Sequence, residues 1–155
     1  MIARRTLLSA AGLLLAGPAL AQRRETVEVW RDPNCGCCGA WVDYLRAEGF
    51  TVTDRVVPSV APFRRMLRTP ADLLSCHAAR VAGALALEGH VPAAAIRRAL
   101  AERPAGIIGL AVPEMPIGSP GMEVPGRAPE TYDVIGWRED GSHAPFMRFV
   151  GATPA

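Results

Sequence analysis

Apolar and polar positions change period several times along this chain, and each change marks an element. Thr26–Trp30 (TVEVW) alternates and is rich in β-branched residues, which predicts a first strand. Asp32-Pro33-Asn34 ends it in a turn. From Ala40 to Glu48 the period lengthens, with Trp41, Tyr44 and Leu45 three and four apart on one helical face and Gly49 closing the helix. Phe50–Val57 alternates again as a second strand, and Pro58 marks its end. Val60–Leu67 predicts a short, Arg-rich helix. Thr69 is placed to cap a further turn over Pro70–Leu74, with proline at the first helical position. Ala78–Val81 and Ala84–Leu87 predict a hairpin around Ala82-Gly83. Pro92–Arg103 is the clearest helix, with Ile96 and Leu100 four apart and Pro104 beyond its end. Ile107–Val112, Tyr132–Trp137 and Phe146–Val150 predict three more strands, with turns at Gly126–Pro129 and Arg138–Gly141.

The order strand–helix–strand–helix–hairpin–helix is that of a thioredoxin-like core. The expected fold is therefore α/β: a thioredoxin-like sheet with flanking helices and a C-terminal strand-and-loop extension, spanning residues 26–150. Its first loop would carry Cys35 to the N-terminus of the first helix, where free N–H groups favour a thiolate. Gly36 and Gly39 are expected to let the backbone bend tightly there.

Ahead of this domain, Met1–Arg5 is short and basic, Thr6–Leu20 is mostly apolar, and Ala19-Leu20-Ala21 has the small-x-small form of a cleavage site. Residues 1–21 thus read as an export signal, and Arg4-Arg5 resembles the twin-arginine type. A retained anchor is the other reading, but the apolar stretch is short of the about 20 residues a span needs. The expected compartment is the periplasm, with a mature form that does not span the membrane. Net charge is +2, and Arg4 and Arg5 account for all of it. The remaining surface is balanced, which argues against a nucleic-acid partner. Every basic residue is arginine, so lysine Schiff-base chemistry is excluded.

The chemistry concentrates in sulfur. Three of the four cysteines lie in Cys35-Gly36-Cys37-Cys38, and the fourth, Cys76, precedes His77. Thiolates with imidazole select thiophilic metals such as Cu(I) or Zn(II). Cys35-x-x-Cys38 is also the minimal dithiol pattern. Two structural disulfides are a third possibility in an oxidising compartment, although they would explain neither the clustering nor His77. Cys35, Cys38, Cys76 and His77 satisfy either metal, and Cys37 adds a thiolate that suggests more than one ion. Alone, Cys76 reads as a small buried hydrophobe and His77 as a satisfied histidine. His90, before the helix at Pro92, is either a ligand or a turn residue, and His143 reads as a hairpin-loop residue. Met115 and Met122 lie in a Gly- and Pro-rich loop, where a thioether is badly placed to fill a core and well placed to reach a soft metal; the other reading is that both cover the first helix as flexible apolar filler, and Met66 sits on a helix. The loop is expected to cover the cysteine edge.

Four stretches together resemble a known family, the small periplasmic CopG-like proteins associated with copper and silver resistance. They are Cys35-Gly36-Cys37-Cys38-Gly39 with Trp41; Leu74-Ser75-Cys76-His77; Glu88-Gly89-His90-Val91-Pro92; and Gly109–Pro113 leading into Met115–Glu123. The resemblance runs from Val27 to about Arg148 and implies a thioredoxin-like fold that binds one or more copper ions through its cysteines. It implies Cys35, Cys38 and Cys76 as copper ligands and Cys37 as an extra sulfur; Met115, Met122, His77 and His90 match recurring positions. Ala78 departs from the family, where threonine often follows the Cys-His pair, as does Ala82-Gly83 in place of an acidic-Gly turn. The implied function is copper binding in resistance or homeostasis, with Cu(I)/Cu(II) cycling and delivery to a periplasmic or membrane copper-transport protein as expectations. Zinc is the second candidate occupant. A thiol–disulfide oxidoreductase, with Cys35 as nucleophile and Cys38 as resolving thiol, and a structural zinc or disulfide module stand as alternatives.

Overall fold

The computed structural model describes residues 24–155, and the export signal expected over residues 1–21 lies outside the described residues. In chain order the elements are β1 (Thr26–Arg31), α1 (Gly36–Ala47), β2 (Thr51–Val56), α2 (Ala61–Leu67), a 3₁₀ turn (Ala71–Leu73), β3 (His77–Val81), β4 (Leu85–Glu88), α3 (Ala93–Glu102), β5 (Ile107–Ala111), β6 (Thr131–Arg138), β7 (His143–Val150) and β8 (Thr153–Pro154). They form one open sheet in the order β2-β1-β3-β4-β5-β6-β7-β8. β1 lies parallel to β2 and antiparallel to β3, and β3 and β4 form the hairpin, which completes the thioredoxin-like core. β5 then joins parallel to β4, with α3 making the crossover such a pair requires. β6, β7 and β8 continue antiparallel from it, so the extension enlarges the same sheet.

The central strands of the sheet are buried on both faces. Val27, Val29, Leu87 and Leu110 pack with Trp41 and Leu45 of α1 and Ile96 of α3 on one side. Trp30, Ala78, Ala86 and Trp137 pack with Leu67 of α2 and Leu73 on the other. Strands covered on both faces lose strict alternation, which is why β3 (HAARV) and β4 (LALE) read as nearly continuous apolar runs.

Four local expectations are revised. α1 begins at Gly36, four residues ahead of the sequence reading, so Cys35 is the N-cap and Cys37 and Cys38 form the first turn. Gly36 and Gly39 keep negative φ, and a side chain at either would meet nothing within 4 Å, so no tight bend calls for them. Glycine is a poor helix former, but the docking of Trp41, Val42 and Leu45 outweighs that penalty of about 1 kcal/mol each. Thr69 does not cap the 3₁₀ turn; Pro70 holds the cap position, and the buried Thr69 hydroxyl has no partner. β7 starts at His143 rather than Phe146, because pairing with β6, down to Trp137↔His143, carries the strand past its apolar part.

Candidate metal centre

Sheet register brings the cysteine segments together. Arg31, the last residue of β1, pairs with His77, the first of β3. The loop into α1 and the residue preceding β3 therefore reach the same sheet edge. β4 ends there too. Gly89 has φ +72°, and its N–H donates to the His77 carbonyl at 2.9 Å. A Cβ on Gly89 would lie 2.5 Å from the Val112 carbonyl and 2.6 Å from Ser75 Oγ, so only glycine lets the chain pass this closely before His90.

All four cysteine sulfurs lie within 4.8 Å of one another. Cys35 and Cys38 are joined by a disulfide, while Cys37 and Cys76 are free thiols. Cys37 Sγ is 3.5 Å from Cys35 Sγ, and Cys38 Sγ is 3.8 Å from the Cys76 carbonyl oxygen. Cys76 Sγ sits between two imidazoles, 3.2 Å from His77 Nδ1 and 3.1 Å from His90 Nε2. Cys76 thus belongs to both a four-sulfur group and a Cys–His–His group.

Burial sets the protonation states. Both histidines are fully buried. Desolvation holds the His77 imidazolium well below its ordinary range, with the neighbouring charges of His90, Arg64 and Arg31 acting in the same direction. Desolvation also lowers His90, against an opposing hydrogen bond to the Pro120 carbonyl. That bond, 2.7 Å from Nδ1, requires the proton on Nδ1, because a carbonyl only accepts. Neutral His90 therefore turns a bare Nε2 lone pair toward the sulfurs, as a metal ligand must. His77 Nε2 is buried without a partner. Burial, and then the nearby Cys37, push the Cys76 thiol up to about 12, so it keeps its proton until a cation displaces it. The His77 ring rests 4.3 Å from that of Trp41, whose Nε1–H donates to the Val91 carbonyl at 3.0 Å.

Cys35, Cys37, Cys38, Cys76, His77 and His90 are therefore brought together. The methionine loop covers this edge as expected: at Gly121 it lies so close to α1 that a Cβ would come 2.6 Å from the Trp41 nitrogen and 3.1 Å from the Cys37 carbonyl. Within the loop Met122 is half-buried, while Met115 is 40% exposed. Met66 is exposed on α2, and His143 lies at the start of β7 with Nε2 3.3 Å from Asp72 Oδ2. Sequence reading missed three contributors: the Pro120 carbonyl, Arg64 and Glu88. Glu88 is a fully buried carboxylate paired with Arg64. Its position at the end of the apolar run Leu85–Leu87 was the available signal, since a charge in a core strand needs a partner.

Residues 73–122 match the family described as "Protein of unknown function, DUF411". That span holds Cys76, both buried histidines and the methionine loop, but not the cysteines of α1. No curated protein matches the chain. Two solved structures do. "Copper resistance protein copG- Form 2" has 39% sequence identity and a TM-score of 0.74, over 81% of this chain and 98% of that one. "Copper resistance protein copG- Form 1" has 40% identity and a TM-score of 0.73 over the same shares. The chain belongs to the CopG family of copper-resistance proteins. As a CopG-type protein it is periplasmic, and its Cys–His cluster can coordinate a metal ion. Soft sulfurs beside unprotonated imidazole fit a thiophilic ion of the copper or zinc class. Among the described residues, no helix is long and apolar enough to cross a membrane.

Proposed function

We propose that this CopG-family chain binds copper as part of copper resistance or homeostasis. Cys35, Cys37, Cys38 and Cys76 hold one or more Cu(I) ions once an external dithiol, itself oxidised to a disulfide, has passed two electrons and two protons to the Cys35–Cys38 bond and opened it to two thiols. His77 and His90 complete the shell, and Met115 and Met122 serve as further soft donors from the covering loop. Thiolates favour Cu(I) and imidazoles make Cu(II) tolerable, so the mixed set permits one-electron cycling. A periplasmic or membrane copper-transport protein is the expected donor or acceptor.

The carrying observation is the position of Cys76 Sγ, 3.1 Å from the lone-pair nitrogen of His90 and within 4.8 Å of the other three sulfurs. The test is anaerobic titration of the reduced protein with Cu(I) against a chromophoric chelator, with Zn(II) titrated in parallel. Copper should outcompete zinc, and its uptake should exceed one ion per chain. A reduced protein that takes up no Cu(I) overturns the proposal.

The Cys35–Cys38 disulfide favours a second reading, a thiol–disulfide oxidoreductase with Cys35 as nucleophile. That activity would survive Cys76→Ser, whereas copper binding through the whole cluster would not.

A further inference from the structure

Neither backbone group of Ser75 enters the sheet; both go to one pair of charged side chains. The Ser75 N–H donates to Glu88 Oε1 at 2.7 Å, and its carbonyl accepts from Arg64 Nη2 at 2.6 Å. Arg64 also grips Glu88 through both carboxylate oxygens, with Nε 3.1 Å from each and Nη2 2.6 Å from Oε1. The Glu88 side chain is fully buried and that of Arg64 only 20% exposed. Arg64 comes from α2, on the sheet face opposite α1, while Glu88 ends β4 just before Gly89-His90.

A buried ion pair is an inefficient way to stabilise a fold, and apolar side chains of similar volume often do as well or better. Such side chains cannot satisfy both the N–H and the C=O of an irregular segment. The segment in question is the residue joined directly to Cys76, whose sulfur must sit between His77 Nδ1 at 3.2 Å and His90 Nε2 at 3.1 Å. Ser75 is also pressed against Gly89, which leaves the turn no slack on that side.

We propose that Arg64 and Glu88 are positioning residues of the metal centre, a clamp that grips the Ser75 peptide groups and thereby sets where the Cys76 sulfur stands between the two imidazoles. The clamp rests on the copper-binding reading for its purpose, but its geometry does not. Residues that orient a ligand without touching the metal typically contribute about 10–100-fold to affinity.

The experiment compares wild type, the double variant Arg64→Met/Glu88→Leu and the single variant Arg64→Lys. The double variant removes both charges together and leaves no uncompensated ion in the core. Arg64→Lys keeps a cation against Glu88 but lacks the fork that reaches the Ser75 carbonyl. Three quantities are measured: apo melting temperature, anaerobic Cu(I) affinity of the reduced protein by chelator competition, and iodoacetamide labelling of Cys76 relative to Cys37. The double variant is expected to fold but to melt below wild type, since the Ser75 N–H and C=O lose their partners, to bind Cu(I) about 10–100-fold more weakly, and to show a raised Cys76:Cys37 labelling ratio. Arg64→Lys should fall between the two. A folded double variant with wild-type copper affinity overturns the clamp. Should the double variant fail to fold, wild-type affinity in Arg64→Lys overturns it instead. Should wild type itself take up no Cu(I), the copper reading fails; an unchanged labelling ratio would then sink the clamp, and a raised one would uphold it.

Discussion

His90 donates from Nδ1 to the carbonyl of Pro120 at 2.7 Å, joining the exit of β4 to the loop that covers the cysteines. A backbone acceptor on this loop thus decides which imidazole nitrogen is free for metal. That bond ties the covering loop to the candidate metal centre.

Gly121→Ala tests that tie. Gly121 has φ +83°, and a Cβ there would lie 2.6 Å from the Trp41 backbone nitrogen. The loop must lift from α1, taking the Pro120 carbonyl with it. Cu(I) affinity in chelator competition should fall by about 10–100-fold, as expected for the loss of a ligand's orienting partner. The His90 Nδ1–H signal in ¹H–¹⁵N NMR should be lost or shifted.

Cys76→Ser removes the only sulfur shared by the two donor groups. Its cost to Cu(I) affinity should exceed the about 10–100-fold typical of outer-shell changes, and copper uptake per chain should drop. The same substitution at Cys37 should cost less, because Cys37 belongs to only one group.

The raised Cys76 thiol makes its reactivity depend steeply on pH. With the Cys35–Cys38 bond intact, Cys37 and Cys76 are the two free thiols. Because the Cys76 thiol is pushed up to about 12, its thiolate fraction rises about tenfold per pH unit across the accessible range. Alkylation of Cys76, followed by mass spectrometry, should therefore accelerate about 100-fold between roughly pH 8 and pH 10. A pH-independent rate would contradict a buried, protonated thiol.

Trp41→Phe should weaken the fold more than its small change in volume suggests. The Val91 carbonyl loses the indole N–H that reaches it at 3.0 Å and stays buried. An unsatisfied buried acceptor costs about 1–3 kcal/mol, which urea denaturation of the apo-protein would read directly.

Much of this architecture was legible in sequence, and the failures have physical causes. Alternation located β1 and β2, and the Trp41–Tyr44–Leu45 spacing located α1. The start of α1 was misread because Gly36-Cys37-Cys38-Gly39 carries no apolar period; tertiary docking of the following turn makes it helical. The convergence of Cys76 with the α1 cysteines was readable from residue types, since few roles other than a shared site account for both groups. The Pro120 carbonyl was not readable, because every residue has a carbonyl and only the folded loop selects one. The pairing of Arg64 with Glu88 escaped as well, since it joins α2 to β4 across the chain and has no local spacing rule.

The sheet is continuous from the thioredoxin-like core into the C-terminal strands, with β5 hydrogen-bonded along β4. A shortened chain ending after α3 would therefore lose its roof and uncover a raw β4 rim in the same cut. Such a fragment is expected to zip onto its neighbours through that rim and precipitate.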